Sequence, residues 1–209
     1  MSYILFDLDG TLTDSGKGII HCAQLTLSHY QLPVPTAEQM RSMVGPPLRD
    51  SFLRFGIAEK DLPEAVAFYR RHYLATGQYE NAPYPGIAEL LSHLMMQGHI
   101  LCVATSKPEE MAKAILEHFS LAKYFTHICG AASDHSRNTK EAVIAHLLTK
   151  LPENAKMTMV GDTIFDVRGA AYHHIPCIAV SWGYGVEEDM LAAGAVIAHS
   201  MQELENLLQ

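Results

Sequence analysis

Two hydrophobic patterns divide this chain. Short unbroken apolar runs predict buried strands, and apolar residues spaced three or four apart predict helices. Tyr3 to Phe6 is the first run. From Ser15 to Asn81 the runs vanish and helical spacing takes over. Ile20, Ala23 and Leu27 share one face there, and Leu62, Val66, Tyr69 and Tyr73 another. Thr36 followed by Gln39 reads as a capping box opening a short helix. Pro83, Pro85 and Gly86 then punctuate the chain, and both patterns alternate to the end. Ile87, Leu90, Leu91 and Leu94 predict a helix stopped at Gly98. Strands are expected at His99 to Ala104, Phe125 to Cys129, Met157 to Val160, Ile175 to Val180 and Ala195 to Ala198. Helices are expected through Met111, Ile115 and Leu116, and through Val143, Ile144, Leu147 and Leu148. A last one carries Leu204, Leu207 and Leu208, with Ser200 and Glu203 capping it.

Alternating strands and helices predict an α/β fold, a Rossmann-like parallel sheet with helices on both faces. Residues 1–14 and 82–209 would form this core, and 15–81 a small helical domain inserted after the first strand. The 209 residues are 48% hydrophobic and 18% charged, enough for a sizeable core. The formal net charge of −8 gives no basic footprint for nucleic acid, so an anionic ligand would need a local positive site. Tyr69-Arg70-Arg71-His72-Tyr73 interleaves aromatic and basic residues, but its aromatic face reads as core. The four cysteines, Cys22, Cys102, Cys129 and Cys177, have no Cys-x-x-Cys spacing and read as buried free thiols. Among the twelve histidines, His72, His135, His173 and His174 make no zinc-like pair. No basic-then-apolar leader opens the chain, and no apolar run approaches ~18 residues. The expectation is a cytoplasmic protein if the host is a bacterium, with no membrane partner.

Carboxylates stand where packing does not want them. Asp7 and Asp9 follow the first strand directly, and buried carboxylates are costly unless paired or metal-bound. Ligands of parallel sheets bind beyond the carboxyl ends of strands. Two clustered carboxylates there suit Mg²⁺, a hard ion that prefers oxygen ligands. Gly161-Asp162-Thr163-Ile164-Phe165-Asp166 follows another strand, with the two aspartates four apart on a first helical turn. Acidic residues at that position also serve the helix dipole alone. Thr105, with Ser106 and Lys107 beside it, leaves a strand before a helix. It reads either as a helix cap or as a phosphate ligand. Lys140 stands at a helix start in a polar stretch and by itself reads as a solvated lysine.

Phe6-Asp7-Leu8-Asp9-Gly10-Thr11-Leu12 resembles the first signature of the haloacid dehalogenase-like phosphatase superfamily, D-x-D-G-T-L. Thr105, Lys140 and Gly161-Asp162 with Asp166 resemble its later motifs, in order. The resemblance implies a phosphate-neutralising role for Lys140, with Lys107 and Arg137 as rivals, although Lys140 departs from the Lys-Pro of many phosphoglycolate phosphatase relatives. The outer strings Gly45-Pro46-Pro47, Tyr79-Glu80-Asn81 and Ala104-Thr105-Ser106-Lys107-Pro108 point to the phosphoglycolate phosphatase and 5′-nucleotidase-like branch. The resemblance spans essentially the whole chain and makes the insert a helical cap. It implies a Mg²⁺-dependent phosphomonoester hydrolase acting on a small phosphate ester, as a monomer or homodimer. Asp7 is expected as nucleophile and Asp9 as acid and base. Asp7, Asp9, Asp162 and Asp166 are expected around the metal. Gly10, Thr105, Ser106 and Lys140 are expected at the phosphate, and Gly45 and Arg49 at the rest of the substrate. A sugar phosphomutase is the near alternative, and a non-catalytic regulator binding phosphate metabolites is the distant one.

Overall fold

The computed structural model describes residues 2–134 and 136–209, so His135 lies outside the described residues. The chain forms two compact units. One comprises Met1–Thr13 with Pro83–Gln209, and the other Asp14–Ala82.

The first unit is built on six parallel strands: β1 (Tyr3–Phe6), β2 (Ile100–Pro108), β3 (Phe125–Ala131), β4 (Met157–Gly161), β5 (Cys177–Val180) and β6 (Val196–Ala198). Their order across the sheet is β3-β2-β1-β4-β5-β6. β1 therefore lies between β2 and β4, where the strand order reverses and the flanking loops diverge into a crevice.

Side-chain alternation along β1 divides the core in two. Ile4 and Phe6 pack into a cluster with Ile87, Leu90, Leu91 and Leu94 of α4 (Ile87–Met96). The same cluster takes in Ile115 and Leu116 of α5 (Glu109–His118), and Leu204 and Leu208 of α9 (Met201–Leu208). Leu5 points the other way, toward Val143, Ile144 and Leu147 of α6 (Lys140–Leu148) and Val167 and Ala170 of α7 (Ile164–Tyr172). Asp7 follows Leu5 by two residues, so an extended chain turns its side chain toward α6 as well.

The structure adds to the sequence reading in two places. β2 continues past Ala104 to Pro108, with a register shift against β3 between those residues. Pro108 rather than Thr105 or Ser106 occupies the N-cap of α5, so neither hydroxyl caps that helix. A short α8 (Glu187–Ala192) was not foreseen, because only Met190 of its six residues is buried and no periodic face forms. At the end of the chain, the Ser200 hydroxyl accepts a bond from Glu203 N–H at 3.2 Å.

The second unit is helical. It holds α1 (Gly16–His29), α2 (Leu48–Arg54) and α3 (Leu62–Ala75), with three short 3₁₀ turns among the described residues. Ile20, Ala23 and Leu27 are buried on α1, as are Leu62, Tyr69 and Tyr73 on α3, while Arg70 and Arg71 are exposed. Thr36 and Gln39 form both bonds of their box, but it opens only turns and a 3₁₀ segment at Arg41–Met43. All four cysteines are free and buried. No helix of the described residues is long and apolar enough to cross a membrane.

Candidate active site

The crevice beside β1 collects side chains from four strand ends or helix starts. Asp7 and Asp9 come from the loop after β1, Lys107 from the end of β2, Lys140 from the first turn of α6, and Asp162 and Asp166 from the β4–α7 junction. Donor oxygens of Asp7, Asp162 and Asp166 lie within 4.8 Å of one another, and all three residues are buried.

Lys140 is the cation of this cluster. Its Nζ lies 2.8 Å from Asp7 Oδ1 and 2.6 Å from Asp166 Oδ1, and donates to the Ala104 carbonyl at 3.0 Å. Burial alone would lower its pKa, but Asp166 and Asp7 overcome this and hold the ammonium above its ordinary value. Gly169 of α7 makes room for its stem, since a Cβ there would stand 2.5 Å from Lys140 Cγ. The rival cations are engaged elsewhere. Lys107 Nζ reaches Asp9 Oδ2 at 2.8 Å and Oδ1 at 3.0 Å. Arg137 bonds Glu109 at 2.8 Å and the Gly130 carbonyl at 2.7 Å.

Each carboxylate has its own environment. Burial pushes Asp7 up to about 6, against the pull of Lys140 and with a further push from Asp166. Thr105, 1% exposed, accepts from Lys107 N–H at 3.2 Å, and its hydroxyl works with Lys140 to pull the Asp7 pKa down against burial. Burial likewise raises Asp162 well above the usual carboxylate range, and the charges of Asp166 and Asp7 add to it. Asp166 Oδ2 accepts from Asp162 N–H, Thr163 N–H and the Thr163 hydroxyl at 3.2, 3.0 and 2.9 Å. With Oδ1 on Lys140, both Asp166 oxygens are committed to the protein.

This donor set fits a hard divalent cation. Three buried carboxylates share one ammonium, which leaves two negative charges without a protein counter-ion. Such a surplus is costly in an interior unless a metal or protons offset it. A second group, Glu109, Cys129 and His146, also brings donor atoms together. There Lys113 and Arg137 already occupy the two Glu109 oxygens, so that group reads as an ion-paired brace.

The other foreseen residues are placed as follows. Gly10 turns the β1 loop at φ 85°, and Ser106 is exposed beside Thr105. Gly45 and Arg49 belong to the helical unit. Gly45 is exposed at φ 103°, and Arg49 is ion-paired with Glu59 in the first turn of α2. Sequence reasoning did not single out Thr11, whose hydroxyl donates to Asp162 Oδ1 at 3.1 Å, or the Trp182–Gly185 turn. The glycines spaced through Gly183-Tyr184-Gly185 were the available signal.

A doubly wound parallel sheet with an acidic, lysine-braced cluster at its reversal point defines an α/β protein whose candidate site lies beyond the carboxyl ends of its strands. A family model described as haloacid dehalogenase-like hydrolase matches residues 4–180. The chain belongs to that family. It is 43% identical over 183 residues to the tyrosine-protein kinase PtkA of Mycobacterium tuberculosis, covering 87% of this chain and 62% of PtkA. The chain thus spans under two thirds of that relative's length. It is 40% identical over 191 residues to a 5′-nucleotidase of Pseudomonas aeruginosa, covering 90% of this chain and 86% of the relative. A phosphoglycolate phosphatase of Agrobacterium fabrum is 33% identical over 187 residues, covering 86% and 80%. The crystal structure of a predicted phosphatase from Clostridium acetobutylicum superposes with a TM-score of 0.92 at 40% identity, covering 99% of this chain and 97% of that one.

Proposed function

We propose that this protein is a Mg²⁺-dependent phosphomonoester hydrolase that works through an aspartyl-phosphate on Asp7. The observation that carries this reading is the placement of Asp7. A buried carboxylate at the end of the central strand is held by Lys140 and stands beside Asp162. Neither a binding site nor a structural ion pair requires that arrangement together with a second carboxylate, Asp9, two residues on.

Asp7, Asp162 and the Asp9 backbone carbonyl would hold the cation, with Asp166 orienting the cluster or joining through water. When bound, the cation supplies charge neutralisation at the transferring phosphoryl group. An Asp7 oxygen attacks phosphorus, and the bond from phosphorus to the ester oxygen breaks. Asp9, in its protonated form, gives its proton to the departing alkoxide. It then takes a proton from water, whose oxygen attacks the phosphoryl group, frees inorganic phosphate and restores the Asp7 carboxylate. Lys140, Thr105, Ser106 and the Gly10 turn cradle the phosphoryl oxygens.

The named relatives support small phosphate esters as substrates, with a nucleoside monophosphate and phosphoglycolate as the first two to try. Gly45 and Arg49 are proposed to contact the rest of the substrate, and Arg49→Ala should then raise KM more for one ester than another. PtkA brings in a second reading, in which a tyrosine hydroxyl replaces water as the acceptor. A cytoplasmic location accords with this chemistry.

Phosphate release from p-nitrophenyl phosphate, with Mg²⁺ and with chelator, tests the reading in wild type and Asp7→Asn. Mg²⁺-dependent release lost in the variant supports it. Equal release by both proteins overturns it. Transfer of label from γ-labelled ATP to a tyrosine peptide, without phosphate release, would favour the second reading.

A further inference from the structure

The turn after β5 has no part in the chemistry above, yet it encloses Asp162. Tyr184 N–H donates to Asp162 Oδ2 at 2.9 Å, and Gly185 N–H donates to the Asp162 carbonyl at 3.1 Å. The approach is so close that side chains are excluded. A Cβ on Gly183 would stand 2.2 Å from Asp162 Cβ, and one on Gly185 would stand 2.1 Å from the Asp162 carbonyl oxygen. From the β1 loop the Thr11 hydroxyl donates to Asp162 Oδ1 at 3.1 Å. A Cβ on Gly10 would meet Asp162 Oδ2 at 2.1 Å.

The turn is also fastened to the loop that carries Asp7 and Asp9. Trp182 Nε1 donates to the Thr11 carbonyl at 3.3 Å. Tyr84 ties both pieces together: its hydroxyl donates to the Trp182 carbonyl at 3.2 Å, and its N–H donates to the Leu12 carbonyl at 3.1 Å. Asp162 is fully buried, and each of its oxygens receives one of these bonds. A carboxylate oxygen accepts more than one bond, so these contacts do not by themselves preclude a metal contact. Rotating the carboxylate would leave the part-buried Tyr184 N–H and the buried Thr11 hydroxyl without these acceptors.

We infer that the Trp182–Gly185 turn is a positioning element that sets the divalent-cation affinity of the acidic cluster. It does so by fixing Asp162 against the β1 loop, so that Asp162 and Asp7 present their oxygens together. The inference rests on the reading of Asp7 and Asp162 as metal ligands. Outer groups that orient a ligand govern affinity in metal sites generally, typically by about 10–100-fold.

The test is calorimetric titration of Mg²⁺ into the chelator-treated full chain, for wild type, Trp182→Phe, Gly183→Ala and Asp162→Asn. A thermal melt without metal accompanies each protein. Trp182→Phe keeps an aromatic ring, loses the N–H that reaches Thr11, and gives up part of the indole's packing area. Its metal-free melting temperature should stay near wild type while Mg²⁺ affinity weakens about tenfold. Gly183→Ala should weaken binding further. Wild-type affinity in a folded Trp182→Phe overturns the inference, even if Gly183→Ala fails to fold. Binding by wild type that is lost in Asp162→Asn shows the metal reading intact whichever way Trp182→Phe falls. No binding by wild type overturns both.

Discussion

Lys140 decides how the buried charges of the site coexist. Its ammonium lies against both Asp7 and Asp166. Breaking a buried pair by removing one partner usually costs about 3–5 kcal/mol, because the other charge stays buried without compensation. Lys140→Met should therefore lower stability by that order in urea unfolding at neutral pH, and abolish Mg²⁺-dependent turnover. Asp7 gives a pH test with a definite sign. Burial holds its folded pKa at about 6, above the ordinary aspartate value of 3.8, so between the two the folded state holds a proton that the unfolded state has released. The stability associated with that proton is full below the unfolded value and is lost as pH rises through about 6. In chelator, wild type should lose stability relative to Asp7→Asn between those two values. A flat difference would mean that Asp7 is solvated or otherwise paired. Lys107 plays the matching part for Asp9, although its place in the chain marks it only as one basic residue beside Thr105.

At the level of elements, the site is assembled by β1 and the first turns of α6 and α7. The chain shows these plainly: an apolar run ending in Asp7-Leu8-Asp9, and another ending in Gly161-Asp162 with Asp166 one turn on. Lys140 was legible only as a residue preceding the Val143 and Ile144 face. What singles it out is Gly169 on α7, whose missing side chain admits the lysine stem, and no spacing rule links positions 140 and 169. Gly169→Ala should displace Lys140, cost about 1–3 kcal/mol by overpacking, and reduce turnover far more than a surface change on α7. Urea unfolding and kinetics on one preparation would check both. The extension of β2 through Thr105 to Pro108 was hidden by Ser106 and Lys107, polar residues that look like the start of a loop. The Trp182–Gly185 turn was hidden for a similar reason. A glycine-rich turn looks the same whether it bends in solvent or closes over a carboxylate.

For the whole molecule, the formal net charge of −8 opposes any phosphate ester at long range, so binding depends on local groups. The three clustered carboxylates outnumber the one lysine among them, and on the proposed reading a cation joins them before the anionic substrate does. Mg²⁺ at about a hundredfold over its dissociation constant should stabilise the fold by roughly 2.7 kcal/mol through mass action. Thermal melts should show that rise in wild type, its reversal by chelator, and its absence in Asp162→Asn. The central claim concerns Asp7, and the most direct measurement traps the intermediate. Wild type turning over p-nitrophenyl phosphate with Mg²⁺ would be quenched in acid, reduced with borohydride and mapped by peptide mass spectrometry. Reduction of an aspartyl-phosphate leaves homoserine, and the account predicts homoserine at position 7 only in samples that received substrate. Homoserine at a different aspartate, or an unmodified position 7 in a protein trapped with covalently bound phosphate, would contradict it.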